Sequence, residues 1–177
     1  MLHTLKTLFD NDYGEDGFRE CSVTGLSIHR SAENHVKLFG LTAVIALVVG
    51  GSFAITVAMT RWELIGLIPE DGYYTHLSMH AWNLLIFWMV FMEIAILYVG
   101  GPIVLGRKLP LTKLATGGWI VMLIGALGVN YSAWTATETG VQEAPLLTAY
   151  VPLEVPSGFY ASAIVFLLGT TIAALPF

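Results

Sequence analysis

Three ionisable side chains, His76, His80 and Glu93, stand inside otherwise uncharged apolar stretches of this 177-residue chain. A charge at the centre of a bilayer costs at least about 3 kcal/mol even on lenient insertion scales, so such residues mark places where something binds them. His76 and His80 lie about 40° apart on a helix and face the same way, with Glu93 about 220° from His80 on ideal helical geometry. With Tyr73 and Tyr74 at the outer interface, His80 sits about 9 Å deeper and His76 about 3 Å deeper. Three readings of His80 stay open. As a core histidine it hydrogen-bonds a neighbouring helix. With His76 it forms an i, i+4 pair for zinc or copper, whose remaining ligands must come from elsewhere because no cysteine or carboxylate lies near. As an axial haem ligand it needs only one imidazole nitrogen aimed into a cleft between apolar helices, and Ser78, Ala81 and Trp82 suit such a cleft. No second histidine stands two or more turns along the same helix, so at most one low-spin haem is held and its other ligand lies elsewhere. Glu93 reads either as a proton relay or, with more weight, as a partner for a hydroxyl or amide on a neighbouring helix. Asn83 and Asn130, each inside a span, read as an interhelical hydrogen-bonding pair.

The elements that must position these residues follow from charge and hydropathy. Apolar residues make up 55% of the chain and charged residues 12%, against roughly 25% in soluble domains, and the mean hydropathy is +0.70. This is the composition of a membrane protein. A net charge of −5 with eight scattered basic residues excludes nucleic-acid binding. The single cysteine, Cys21, excludes an internal disulfide or a CxxC motif and reads as a free thiol. Charges punctuate the chain into four apolar spans, at about 38–60, 74–101, 114–137 and 157–177, uncharged but for Glu93 in the second. Gly100-Gly101-Pro102 is expected to break the second. The fold class is therefore all-α integral membrane, with residues 1–36 as an N-terminal arm and 37–177 as a four-helix region. Residues 10–20 read as too polar and glycine-rich to pack. Ser31, with Asn34 three residues on, reads as the N-cap of the first helix. Gly117, Gly118, Gly125, Gly128, Ala161, Ala163 and Gly169 permit close approach of the last two helices.

Lys6, Arg19, Arg30 and Lys37 precede the first span, and Arg107, Lys108 and Lys113 follow the second. The positive-inside rule places both segments in the cytoplasm, with the N-terminus inside the cell (inner) membrane. Glu138, Glu143 and Glu154 make the third connection an acidic outer loop. No signal peptide precedes the first span, which serves as its own insertion signal. The fourth span runs to the last residue, and the expectation is a split gene or a truncated chain, not active alone.

The run Tyr74-Thr-His-Leu-Ser-Met-His80-Ala-Trp-Asn83, followed by a long apolar stretch, resembles helix II of subunit I of the haem-copper oxygen reductases, where a Thr-x-His-Gly motif supplies a low-spin haem ligand. Leu146-Leu-Thr-Ala-Tyr150-Val-Pro152-Leu153, with Gly158-Phe-Tyr160 opening the next span, resembles the family's Tyr-Pro-Pro-Leu outer loop before helix IV. Gly106-Arg-Lys-Leu-Pro110 replaces the acidic proton-entry motif between helices II and III and is more like the B-type enzymes. The resemblance covers about residues 36–177. Ser78 stands for threonine, Ala81 for glycine and Val151 for proline.

The resemblance implies that the four spans are helices I–IV of a twelve-helix fold. It implies an N-terminal portion of a terminal respiratory oxidase that reduces dioxygen to water with proton translocation. His80 is then the low-spin haem axial ligand, through the haem iron, with Ser78 and Ala81 in the pocket. The high-spin haem, the copper and all catalytic residues belong to the remaining part of subunit I. Implied partners are that part, subunit II, and a cytochrome c or cupredoxin electron donor. Nitric oxide reduction in the same superfamily, and a cofactor-free membrane assembly or transporter subunit, are the alternatives.

Overall fold

The computed structural model describes residues 12–63, 65–138 and 156–177. The polar stretch ahead of the first span does not run free. Phe18–Glu20 (β1) pairs antiparallel with Ser27–His29 (β2), Phe18 opposite His29 and Glu20 opposite Ser27. Gly17 and Gly25 take positive φ at the ends of this hairpin, where other residues would be strained. What the glycine-rich composition conceals is one ion-pair cluster. Arg19 grips both carboxylate oxygens of Glu33 at 2.7 Å, Lys37 reaches the same carboxylate at 2.7 Å, and the Tyr13 hydroxyl donates to it at 3.0 Å. Glu33 is only 5% exposed. Its hydrogen bonds hold the Arg19 guanidinium charged, well above the usual arginine range. The expectation that residues 10–20 cannot pack therefore fails across its described part: one bidentate pair anchors the hairpin to the first helix. Cys21, between the strands, is a free thiol drawn down to about 7, chiefly by its hydrogen bond with Thr24.

The first helix, α1, spans Arg30–Arg61 and so starts eight residues before the uncharged stretch begins. Its cap is His29, whose side chain accepts from the Ser31 amide at 3.0 Å, and not Ser31 as the sequence suggests. The Ser31 hydroxyl instead accepts from the Leu109 amide at 3.0 Å, tying the helix start to the turn after the second span. A serine hydroxyl caps its own helix only when no better-placed donor claims it.

The second span is one rod built from α2 (Glu70–Ala81), a π-turn segment π1 (Trp82–Phe87), α3 (Trp88–Tyr98) and a second π segment π2 (Val99–Ile103). Gly100-Gly101-Pro102 thus widens the helix before ending it. Proline cannot donate, and the chain answers with i→i−5 bonds, Val104 to the Val99 carbonyl at 3.0 Å and Arg107 to the Pro102 carbonyl at 2.7 Å. The third and fourth spans are α4 (Thr112–Glu138) and α5 (Ser157–Ala174). Among the described residues four helices are long and apolar enough to cross a membrane, which makes this a multi-pass membrane protein of the all-α class.

The last two spans meet through glycine. A Cβ on Gly118 would collide with Ala173, on Gly125 with Phe166, on Gly128 with Ser162, and on Gly169 with Met122. Without a hydrophobic drive between helices in lipid, close backbone contact of this kind holds the pair. Gly117 faces open space and takes no part.

Asn83 and Asn130 form the expected interhelical pair. The Asn83 amide donates to Asn130 Oδ1 at 2.6 Å, the Asn130 amide donates back at 3.3 Å, and each also donates to a carbonyl of its own helix. Interhelical bonds in membranes contribute about 0.6 kcal/mol on average and about 1.7 kcal/mol at most. A single Asn83→Leu or Asn130→Leu change strands the other amide, so each is expected to cost about 1–2 kcal/mol and the double change no more than either alone. Denaturation of the two single variants and the double variant in detergent measures that coupling; additive losses would contradict the pair.

Candidate functional site on the second span

His80 is held by its partner helix. Its Nδ1 lies 2.9 Å from the Gly50 carbonyl oxygen, thirty residues away on α1. A carbonyl only accepts, so Nδ1 carries the proton and Nε2 is left with its lone pair. Among the described residues Nε2 has no hydrogen-bond partner, and the half-buried ring is fixed at its Nδ1 side by α1.

Gly50 makes this possible by its size. A Cβ there would stand 2.9 Å from the Leu84 amide nitrogen and 3.2 Å from the Cβ atoms of Asn83 and Leu84. The π1 segment, which starts two residues beyond His80, therefore lies directly against bare α1 backbone. Gly50 falls near the middle of the uncharged residues 38–60, so the His80 ring reaches a carbonyl well inside the first span.

His76 does not converge with His80. Its Nδ1 bonds the Gly72 carbonyl of its own helix at 2.9 Å, and its ring stands edge-on to Phe53 at 5.3 Å and Trp134 at 5.9 Å. Among the described residues no group of three or more histidine, cysteine or acidic side chains gathers around a point. The aromatic enclosure makes His76 a packing residue linking three spans.

Ser78 and Ala81 are placed differently from each other. Ala81 is half-buried beside His80. Ser78 is about 200° round the helix from His80, 1% exposed and turned into the bundle. Its hydroxyl, the Thr75 hydroxyl and the Trp82 indole N–H are all buried without a hydrogen-bond partner among the described residues. Their spacing of three and four residues puts them on one stripe, on the side where the Trp82 ring stands edge-on to Phe159 of α5 at 5.1 Å. The sequence points to Ser78 and Trp82 but not to this alignment; small polar residues at helical spacing inside an apolar span are the signal.

Glu93 is exposed, and its carboxyl has no partner within the described residues. The expected hydroxyl or amide on a neighbouring helix is therefore not found in this part of the bundle. The rings of Phe91 and Tyr98 pack on Phe39 of α1 at 6.1 and 5.6 Å, which sets Glu93 level with the stretch just past Lys37. It stands toward the Lys37 end of the apolar layer, where a carboxyl costs less than at the centre. The π1 segment also takes up an extra residue, which turns Glu93 to about 120° from His80 instead of 220°.

Gly50 is the site residue that sequence reasoning missed. Its signal is the Gly50-Gly51 pair in the middle of the first span, a poor helix choice unless something must come close. The Tyr150-Val-Pro152-Leu153 loop match lies outside the described residues.

A protein-family model described as cytochrome c and quinol oxidase polypeptide I matches residues 34–177, a stretch that includes all four spans and every residue of the site. Comparisons with curated proteins and with solved structures found no match.

Proposed function

This chain belongs to the cytochrome c and quinol oxidase polypeptide I family, and on that premise we propose that it supplies one face of the low-spin haem site of a respiratory oxidase. The observation that carries the proposal is the His80–Gly50 bond. Metal-ligating histidines donate their second ring nitrogen to a carbonyl or carboxylate, which fixes the tautomer and raises the basicity of the ligating nitrogen. His80 is already in that state, with Nε2 unbonded among the described residues. The residues present therefore fit a haem ligand: the nitrogen a metal would take is the one the bundle leaves unused.

A low-spin haem bound there would carry single electrons from an outer donor to the oxygen-reducing centre. This chain's own residues hold and tune. His80 would supply the ligating nitrogen, with Gly50 orienting its ring and Ala81 offering a methyl wall beside it. Ser78 acts indirectly, from the bundle side of the same helix turn. The apolar spans keep water from the ligand, and ligand type and dryness together set the potential. The complete enzyme in this reading is a B-type-like terminal oxidase of the cell membrane, with the N-terminus cytoplasmic. It reduces dioxygen to water and translocates protons, with subunit II and a cytochrome c or cupredoxin donor as partners. The high-spin haem and copper sit on the rest of subunit I.

The test is a reduced-minus-oxidised absorption spectrum of the purified complex, taken also for His76→Ala. A low-spin haem band that His76→Ala leaves in place is the expected result. A complex with no such band would instead be a cofactor-free assembly or transporter subunit, and a band lost with His76 would move the ligand by one helical turn.

A further inference from the structure

At the inner end of the bundle a cavity of about 820 Å³ opens between the β-hairpin, the turn after π2 and the end of α5. Its walls are of two kinds. Pro102, Leu105 and Phe177 give it apolar sides, and Arg107 and Lys108 stand on its rim. Both cations are exposed, and neither has an acidic partner among the described residues, where the ion pairs use Arg19 and Lys37. Asp16 is the one acidic side chain on the wall, and its Oδ1 accepts the Phe18 amide at 3.0 Å within the hairpin.

The two bases are presented by a braced turn. On one side the Arg107 amide donates to the Pro102 carbonyl, with Gly106 at φ +60° reversing the chain. On the other, Leu109 is 3% exposed and its amide is fixed by the Ser31 hydroxyl. Two adjacent, unpaired cations held on a rigid turn form a receptor for a phosphate, and the guanidinium adds a planar fork for its oxygens. The apolar wall says which phosphate. Leu105, on the cavity wall and 66% exposed, continues the apolar surface of the span end, where acyl chains run.

We propose that this cavity binds the phosphate headgroup of an anionic phospholipid, with Arg107 and Lys108 on the phosphate and the Leu105 wall against an acyl chain. Basic pockets between membrane helices on the positively charged side take such headgroups. The site is separate from the haem reading and does not depend on it. A free phosphate shares the charged half of this chemistry but has no use for the apolar half.

Native mass spectrometry of the purified full-length protein in detergent tests this with phosphatidylglycerol, phosphatidylcholine and inorganic phosphate as probes. Phosphatidylglycerol is expected to be retained at least about tenfold better than phosphatidylcholine, to lose that advantage in R107Q/K108Q, and to regain it in R107K/K108R. Because both side chains are exposed, the glutamine variant keeps its fold, which unchanged helical circular dichroism verifies. Equal retention of the two lipids, or undiminished retention in R107Q/K108Q, overturns the site. Displacement of the lipid by an equal concentration of inorganic phosphate overturns the lipid assignment.

Discussion

Replacing His80 by alanine is expected to abolish the low-spin haem band of the assembled complex while leaving the four spans in place. The side chain removed is half-buried, and its one hydrogen bond among the described residues is to Gly50, so the loss to the bundle is one bond of about 1–2 kcal/mol. On the proposed reading, the loss to the haem is its ligand. His80→Met separates ligation from packing more sharply. A thioether at the same position still ligates, and a methionine ligand raises the reduction potential relative to histidine. The expected series is therefore a normal band for the wild type, a band at higher potential for His80→Met, and none for His80→Ala. A band that survives the alanine change with its potential unaltered would remove His80 from the haem and return it to the core-histidine reading.

The parts of this fold that were legible in the sequence are those governed by the bilayer. A charge inside hydrocarbon is costly whatever the surroundings, so runs poor in charge point to four apolar helices. The Asn83–Asn130 pair was legible for the same reason: two amides inside apolar spans have only each other and nearby carbonyls to satisfy them. The glycines of α4 and α5 fitted too, except Gly117, because composition gives the number of small residues but not the phase of the contact. What failed to show was everything decided by one specific tertiary bond. The hairpin at 18–29 packs because Arg19 finds Glu33 fourteen residues on, and no local pattern encodes that encounter. Ser31 loses its capping role to His29 because Leu109, far along the chain, needs an acceptor. The π segments change the phase of the second span, so an angular estimate that holds from His76 to His80 drifts by the time it reaches Glu93. At the candidate site, the ligand candidate was legible as a residue, but the state of its imidazole was not. That state depends on a glycine thirty positions earlier.

Gly50→Val is accordingly expected to disturb the site almost as much as loss of the ligand itself, with every titratable group left intact. The new branched side chain meets the Leu84 backbone nitrogen and the Cβ atoms of Asn83 and Leu84, none of which is the flexible end of a side chain. The π1 segment must move off α1, at a cost of about 1–3 kcal/mol for overpacking. As the helices part, the 2.9 Å bond between His80 Nδ1 and the Gly50 carbonyl lengthens. Gly50→Ala forces the same displacement to a smaller degree. An imidazole that has lost a hydrogen bond from its distal nitrogen is a weaker donor to the metal and favours the oxidised iron less. The haem potential is therefore expected to rise in Gly50→Ala and the band to weaken or vanish in Gly50→Val. Gly51→Ala is the control. A Cβ at Gly51 meets nothing within 4 Å, so that substitution should leave the spectrum alone and stabilise the helix by up to about 1 kcal/mol through propensity. Redox titration of the three variants beside the wild type decides the matter. If Gly50→Ala and Gly51→Ala titrate alike, the Gly50 carbonyl does not set the ligand's orientation, and the tautomer of His80 must be imposed by something else.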